Sequence, residues 1–343
     1  LKGNGQLDDI YIADFLKTIK PYYNLAQFTL DSVATNPQGT LNKLLDYDLI
    51  VSAKPSIAFT ENEKLVLDQY TMNGGKSLWL TESVVMDKDS LYNAAGTGVS
   101  IMRDLQLNDF FFKYGVRVNP TLVKDLISAP IMLTIGEGSQ AQMQPLQWQY
   151  SPLAASNPNH PITKNIDLVK FDFASPIDTL KNGIKKSILL RSSPDEASYN
   201  LGPQNLAVLL EGEFPSVYDQ RVLPFKVNNF KSKSQKTKMV IISDGNVIKN
   251  EVIKNRPLEL GFDQLTGKSF GNKEFLLNTV NYLLDDTGLI NIRAKEITVA
   301  FLDADKVKDS KGTWQFINIA LPLIVLGLFG FIFNYLRKRK YAS

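Results

Sequence analysis

The segment DLIVSAKPSIAFTENEKLVLDQYTMNGGKSLWL, residues 48–80, decides the fold. It opens with an apolar run that does not alternate, which predicts a strand buried on both faces. Thr60, with Glu63 three residues later, predicts a capping box at the start of a helix. Asn-Gly-Gly predicts the end of that helix, and KSLWL predicts a second buried strand. Strand, helix and strand in this order indicate a right-handed crossover in a parallel sheet with helices on its faces.

The sequence on both sides of this segment extends the α/β pattern. The further predicted elements are helices at residues 10–20, 101–114 and 273–284, strands at residues 206–211 and 239–243, and a solvated basic loop at residues 226–238. LKGNGQLDD, residues 1–9, resembles the exit loop of a strand. We therefore expect further chain before Leu1, with a strand and a targeting segment.

The C-terminal region carries a second strong signal. FINIALPLIVLGLFGFIFNYL, residues 316–336, contains no charged residue, and about 20 residues at 1.5 Å rise cross a bilayer core of roughly 30 Å. The alternative is a buried helix of a soluble core, but core helices rarely run this long without a charge. Four basic residues follow and favour a cytoplasmic C-terminus. The residues that define this predicted anchor and its orientation are Trp314, Phe316, Leu336, Arg337, Lys338, Arg339 and Lys340.

Composition excludes several classes of function. The chain has 343 residues and a net charge of +3, to which the terminal basic cluster contributes four positive charges, so the remainder is near neutral. This balance does not indicate a nucleic-acid partner. The chain contains no cysteine, which excludes disulfides, thiolate metal sites and cysteine nucleophiles.

A ligand site, if present, is predicted at the rim of the sheet. Open parallel sheets bind ligands beyond the carboxyl ends of their strands, and polar loops follow the predicted strands there. The candidate rim residues are Gly3, Asn4, Gly5, Gln6, Thr81, Glu82, Asp244 and Asn246, with residues 52–55 beside them. The alternative is turn chemistry, because Gly and Asn adopt positive φ and Asp caps helices.

No complete catalytic or cofactor motif is found. Ser83 is a conceivable nucleophile, but the only imidazole that could serve as its base is His160, in a proline-bounded turn. A lone histidine argues against a catalytic zinc site. The sequence has neither a Walker lysine motif nor G-x-G-x-x-G spacing. We therefore predict no catalytic residue, no metal and no cofactor.

A set of blocks in a fixed order resembles a known family. The blocks are LKGNGQLDD, residues 48–80, WQYSPL, HPITKNI, LAVLLEGEFPSVY, KMVIISDGNVI, NKEFLLNTVNYLLDDTGLINIRAKEI and the terminal anchor. Together they resemble the GldG family, the gliding-motility-associated auxiliary proteins of bacterial ABC transporters. The first part is similar to the flavodoxoid, glutamine-amidotransferase-like fold that recurs in an intraflagellar-transport family. Amidotransferases carry a nucleophilic cysteine after a sheet strand, where this chain has Thr-Glu-Ser at residues 81–83.

The resemblance implies a non-catalytic auxiliary subunit anchored in the inner membrane, with its bulk in the periplasm, where it binds substrate or partner proteins. Its implied partners are the permease and ATP-binding subunits of the transporter and the lipid bilayer. Two alternatives remain: a membrane-tethered hydrolase that acts on a periplasmic carbohydrate or peptide, and a structural protein whose domains assemble with each other.

The resemblance and the anchor together divide the chain into five segments. They are an amidotransferase-like α/β core at residues 1–90, its extracytoplasmic α/β continuation at residues 91–296, a connector at residues 297–313, a transmembrane helix at residues 314–336 and a basic tail at residues 337–343.

Overall fold

A computed structural model of the chain describes residues 1–86, 98–135, 142–194, 202–264, 266–285 and 304–341. The chain divides into two compact units, Leu1–Ala294 and Lys295–Ser343. Residues 297–303 of the predicted connector and residues 342–343 of the predicted tail lie outside the described residues.

The secondary structure within the described residues is mixed. The helices are α1 (Ala13–Ile19), α2 (Pro37–Leu44), α3 (Glu61–Met72), α4 (Asn108–Tyr114), α5 (Asn272–Leu284) and α6 (Ala304–Tyr341), with 3-10 turns at Asp9–Ile12, Asp31–Ala34 and Gly245–Ile248. The strands are β1 (Leu49–Ala53), β2 (Lys76–Leu80), β3 (Val84–Val85), β4 (Ile101–Met102), β5 (Val116–Val118), β6 (Ser128–Ile135), β7 (Gln142–Ser156), β8 (Val169–Lys170), β9 (Ile177–Thr179), β10 (Lys185–Arg191), β11 (Asn205–Pro215), β12 (Lys233–Ile242), β13 (Val252–Ile253), β14 (Arg256–Pro257), β15 (Phe262–Asp263) and β16 (Lys268–Ser269).

The main sheet is mixed rather than parallel. Its order is β1-β2-β12-β11-β10-β7-β6, with β8 paired to β7. β1, β2 and β12 are parallel, whereas the pairs from β12 through β11, β10 and β7 to β6 are antiparallel. The prediction of an α/β fold is confirmed, and the prediction of a parallel sheet holds for these three strands alone. β12 follows β11 without a helix between them, a connection that allows antiparallel pairing.

The β1-α3-β2 crossover follows the sequence signals closely. The Glu63 N–H donates to Thr60 Oγ1 at 3.3 Å, and the Thr60 N–H donates to Glu63 Oε2 at 2.8 Å, which confirms the capping box. At the other end of α3, a Cβ on Gly75 would lie 2.3 Å from the Tyr70 ring. Glycine at position 75 therefore leaves room for the Tyr70 ring to pack against the turn that leads into β2.

Helices cover both faces of the sheet, and each face has its own apolar core. Trp79 of β2 and Ile241 of β12 point into the first core, with α2, α3 and α4. Leu78 and Val240, one position away, point into the second core, with α1 and α5. Because both faces are buried, β2 and the end of β12 are apolar without alternation.

Two predicted elements differ from the structure. The helix predicted at residues 101–114 begins only at Asn108, and it buries Phe110 and Phe111 while Phe112 is exposed. The basic stretch predicted as a solvated loop contains the start of β12 at Lys233. There Lys233 Nζ lies 2.5 Å from Glu213 Oε2 of β11, and opposite charges across an antiparallel pair stabilise the strand.

A buried carboxylate joins α3, α4 and the turn after β11. Asp68 is fully buried. It accepts hydrogen bonds from Ser216 Oγ at 2.6 Å, the Val217 N–H at 2.8 Å, Tyr114 Oη at 2.9 Å and Gln69 Nε2 at 3.0 Å. Burial raises the pKa of Asp68 above its usual range, and the four donors offset part of the cost of burying this carboxyl group.

We predict that Asp68→Ala lowers the free energy of unfolding by about 3 kcal/mol or more, because it leaves several buried donors without an acceptor. Tyr114→Phe, the matched control, removes one donor and keeps the acceptor, and should cost about 1 kcal/mol. Urea unfolding of the full chain in detergent, followed by circular dichroism, measures both. Equal losses in the two variants would contradict this role of Asp68.

Candidate functional site

Charged and polar side chains meet at the carboxyl ends of the parallel strands. Lys54 Nζ lies 2.9 Å from Glu82 Oε1 and donates to Asn246 Oδ1 at 2.7 Å. On the other side of the buried Glu82, Arg103 Nη1 lies 3.3 Å from Oε2. Two cations and an amide therefore surround one carboxylate. We call Lys54, Glu82, Arg103, Asp172, Asp244 and Asn246 the rim cluster.

Asp244 is a buried carboxyl group of the rim cluster with a raised pKa. Its Oδ1 accepts the Asn246 N–H at 2.7 Å, which caps the 3-10 turn Gly245–Ile248, and its Oδ2 accepts the Asp172 N–H at 2.5 Å. The side chain is fully buried. Burial, with the nearby charges of Glu82 and Asp172, raises the pKa of Asp244 to about 8. Asp244 therefore holds a proton near neutral pH.

Close packing fixes Lys54 and residue 245 together. Lys54 adopts a positive φ of 53°, which is uncommon for a residue with a side chain. A Cβ on Gly245 would lie 2.4 Å from Lys54 Cβ. Glycine at position 245 thus leaves room for the lysine to reach Glu82, which explains the Asp-Gly-Asn sequence after β12.

The N-terminal loop of the predicted rim lies mainly against the start of α3. The N–H groups of Ser56 and Ile57 donate to Asn4 O at 2.9 and 3.0 Å, and Asn4 Nδ2 donates to Glu63 Oε2 at 3.1 Å. Gly5 has a φ of 67°, and a Cβ there would lie 2.1 Å from Ser56 Oγ. These contacts hold the loop in place, while Asn4 Oδ1 and Gln6 Nε2 are buried without a protein hydrogen-bond partner among the described residues.

Two buried hydroxyl groups at the carboxyl ends of β1 and β2 have no hydrogen-bond partner among the described residues. The Thr81 N–H donates to Ile242 O at 3.0 Å. Thr81 Oγ1 and Ser52 Oγ are buried and have no protein hydrogen-bond partner within the part of the chain that the structure describes. Buried polar groups of this kind are usually satisfied by water or a ligand.

The structure brings together some predicted rim residues and adds others. Glu82, Asp244 and Asn246, all predicted from strand ends, lie in the rim cluster. Arg103 and Asp172 were missed, because they follow β4 and β8, which do not belong to the parallel strands, and tertiary structure alone brings them to this edge.

Two cavities adjoin the rim cluster. One has a volume of about 230 Å³ and is lined by Lys54, Met86, Lys170, Asp172, Phe173, Asn246, Lys249, Asn250, Glu251, Gly261, Phe262 and Asn272. A larger one, about 660 Å³, is lined partly by Ser83, Arg103, Asp109, Arg117 and Arg221. Its volume falls in the range of small-molecule sites. Its lining has a net positive charge, because it carries four cations, Arg103, Lys113, Arg117 and Arg221, and two carboxylates, Asp104 and Asp109. Arg221 is paired with Asp109, and Arg103 with Glu82.

Ser83 and His160 belong to separate hydrogen-bond sets. Ser83 Oγ lies 2.8 Å from Asn119 O and 2.7 Å from Ser175 Oγ. His160 Nδ1 accepts the Ile162 N–H at 3.3 Å. Burial lowers the pKa of His160. No serine–histidine hydrogen bond forms among the described residues, and within these residues no cluster of three or more acidic or histidine side chains could hold a metal ion.

The predicted anchor residues all lie on α6. Within it, Gln315–Tyr341 has 27 residues and contains an 18-residue stretch with a mean hydropathy of 2.5, which makes it long and apolar enough to cross a membrane. The segment is not buried by other parts of the described chain. α6 continues through Arg337, Lys338, Arg339 and Lys340, so the basic cluster extends the same helix.

We predict that Asp244 makes a contribution to stability that falls as pH rises from about 4 to about 8, because unfolded Asp244 ionises near its ordinary value of 3.8 whereas folded Asp244 keeps its proton to about 8. In Asp244→Asn this fall should be smaller, since Asn cannot ionise. The exposed Asp46→Asn is the matched control and should keep the wild-type slope. Thermal unfolding across this pH range gives the slopes, and identical slopes for wild type and Asp244→Asn would refute the assignment.

Comparison with known proteins identifies the family. A family model, ABC_transp_aux, described as "ABC-type uncharacterized transport system", matches residues 1–279. No curated protein matches the chain. A solved structure described as "mmIFT52 N-terminal domain" is similar over 80% of this chain and 91% of that chain, with 13% sequence identity and a TM-score of 0.46. The family match covers well over half of the chain, which therefore belongs to the family of auxiliary proteins of ABC-type transport systems.

Proposed function

We propose that this protein is a non-catalytic, membrane-anchored auxiliary subunit of a bacterial ABC transporter involved in gliding motility. The unit Leu1–Ala294 lies outside the cytoplasm, and α6 crosses the inner membrane with its basic end inside. The observation that carries the proposal is the apolar segment Gln315–Tyr341 of α6, in a chain of an ABC-type transport family. The gliding-motility role rests on the GldG resemblance.

The charge distribution of α6 supports the orientation. Residues 316–336 carry no charge, and Arg337, Lys338, Arg339 and Lys340 follow at once. Positive residues next to a span are retained on the cytoplasmic side. The bulk of the chain, which precedes the span, then lies in the periplasm.

The contacts of the folded unit support a role in binding rather than in catalysis. Ser83 Oγ hydrogen-bonds to Asn119 O and Ser175 Oγ rather than to a base. Glu82 is held by two cations. A nucleophile requires a base that is itself correctly oriented, and these contacts leave neither side chain prepared for that chemistry.

In this proposal the energy conversion takes place on partner chains. The family implies association with components of an ABC transporter. The permease is the natural contact for α6 in the bilayer, and the ATP-binding subunit acts through the permease. The folded unit then binds substrate or partner protein next to the transporter, and the basic cavity beside Arg103, Arg117 and Arg221 is a candidate contact surface.

We predict that the C-terminus lies in the cytoplasm. A reporter that works only in the cytoplasm should therefore be active when it is fused after Ser343, and a reporter that works only in the periplasm should be inactive there. Replacing the four basic residues together (R337Q, K338Q, R339Q and K340Q) should give a mixture of orientations, because the charge bias across the span is lost. The matched control replaces four exposed lysines of the folded unit (K17Q, K20Q, K43Q and K226Q) and should keep the wild-type orientation. A periplasmic C-terminus in the wild type would overturn the proposed topology.

We also predict that the full chain, purified through a tag in mild detergent, brings an ABC permease and ATP-binding subunit with it. In a matched variant an unrelated span of equal length replaces residues 316–336 while the folded unit stays unchanged. Loss of the permease from this variant would assign the contact to α6, and its retention would assign the contact to the folded unit. Wild-type protein that brings no transporter component would contradict the proposed function.

A further inference from the structure

The basic cavity of about 660 Å³ combines cations with exposed apolar side chains. Part of its lining comes from β4 and the residues that follow it, and the rest comes mainly from α4 and β5. Each of these elements also packs into the folded unit with other side chains. The residues that face the cavity can therefore be separated from those that hold the fold together.

α4 and β5 place three exposed side chains at the cavity. α4 buries most of its aromatic side chains in the first core, while Phe112 and Lys113 are exposed. Gly115, with a φ of 96°, ends the helix, and β5 begins at the next residue. Arg117 is the exposed middle residue of β5, between two buried valines. The short turn thus brings Phe112, Lys113 and Arg117 to the same cavity.

Two of the four cations of the lining are already paired. Arg221 Nη1 lies 2.9 Å from Asp109 Oδ2, and Arg103 Nη1 lies 3.3 Å from Glu82 Oε2. Although burial acts to raise the pKa of Asp109, hydrogen bonds from Arg221 and Lys64 hold it below its usual range. Asp109 is therefore ionised, and these two arginines form a fixed part of the cavity wall.

Lys113 and Arg117 differ from these arginines. Within the described residues neither forms an ion pair with a carboxylate. Asp178 lies opposite Arg117 in the β5–β9 ladder, but its Oδ2 accepts a hydrogen bond from Asn119 Nδ2 at 2.9 Å. Asp104, the remaining carboxylate of the lining, accepts a backbone N–H of its own turn at 2.8 Å. Lys113 and Arg117 therefore remain available to an anionic ligand.

The apolar part of the lining is exposed although the fold has a core beside it. Met102 is 64% exposed and Phe112 is 58% exposed. Phe110 and Phe111, which precede Phe112, pack against Trp79 with ring centroids 6.0 and 5.7 Å away. Apolar side chains that are exposed together next to polar ones mark ligand-binding grooves or interaction sites. Met102 and Phe112 come from different elements and meet at one cavity, so they form such a surface.

We propose that the basic cavity binds a small organic anion. A carboxylate or phosphate group of the ligand contacts Lys113 and Arg117, and its apolar body contacts Met102 and Phe112. A guanidinium group offers parallel donors that match two oxygens of either group. The volume of the cavity suits a small molecule, and two unpaired cations match one such group better than the several carboxylates of an acidic peptide. The proposed binding role of the folded unit is the basis of this inference, which names the class of its ligand.

Calorimetric titration of the full chain in phosphatidylcholine nanodiscs, with empty nanodiscs as the blank, tests the ligand class. The probes are phenyl phosphate and phenylacetate, compared with inorganic phosphate, acetate and phenol. We expect saturable binding of at least one aromatic anion, and binding of the three partial probes weaker by about tenfold or more, because each lacks either the charge or the apolar body. The aromatic anion that binds more tightly identifies the charged group. A wild-type chain that binds neither aromatic anion, or binds inorganic phosphate equally well, would overturn the proposal.

Substitutions locate the binding. Lys113→Gln, Arg117→Gln and Phe112→Ser change exposed side chains and should leave the fold intact. Each should weaken binding of the aromatic anion by about tenfold, since each removes one contact of the ligand. Arg256→Gln and Tyr22→Ser, which change an exposed arginine and an exposed aromatic residue outside the cavity lining, are the matched controls and should keep the wild-type affinity. Equal affinities of Arg117→Gln and Arg256→Gln would show that the anion does not bind in this cavity.

Purification of the same variants with their partners separates this inference from the proposed function. Arg117→Gln should lose the anion and still bring the transporter components. If Arg117→Gln loses the transporter components as well, the small-anion assignment is overturned in favour of a partner protein at the cavity. Wild-type protein that binds the anion but brings no transporter component would support the cavity assignment and contradict the proposed function.

Discussion

The structure depends on the burial of both faces of its central strands. Leu78 and Trp79 are neighbours in β2, yet they point into different cores. Helices must therefore lie on both sides of β2, and the crossover through α3 is the local means of covering one of them. The carboxyl ends of the parallel strands meet at one edge because the crossover fixes their direction. The rim cluster is thus a consequence of how the apolar strands are buried.

The rim cluster shows how such an edge is kept stable. Glu82 and Asp244 are both buried, and two like charges at this depth would destabilise the fold. The cluster avoids that cost in two ways: Lys54 and Arg103 neutralise Glu82, and Asp244 keeps its proton. Perturbed carboxyl groups also occur at functional sites. Here burial and the neighbouring charges of Glu82 and Asp172 give a sufficient structural reason for the raised pKa of Asp244.

The sequence predicts the elements that are determined locally. The capping box at Thr60 and the glycine turn at residue 75 involve neighbours only, and both are found where predicted. The antiparallel part of the sheet depends on pairing between distant segments, which composition does not specify. Lys233 is an example: its composition predicts a loop residue, but in the structure it belongs to β12 and forms an ion pair with Glu213 of the neighbouring strand β11. Arg103 and Asp172 were missed at the rim for the same reason: tertiary structure alone brings them there.

The two ends of the chain differ in how their hydrogen bonds are satisfied. In α6 the backbone is paired within the helix, so an apolar surface is sufficient for a stable place in lipid. At β1 the side chains are well packed, but the outer backbone edge has no ladder partner among the described residues. Open strand edges pair readily with any extended chain. Within the described residues, the bonds of the Leu1 nitrogen to Val51 O and of the Leu7 N–H to Ala53 O occupy part of that edge.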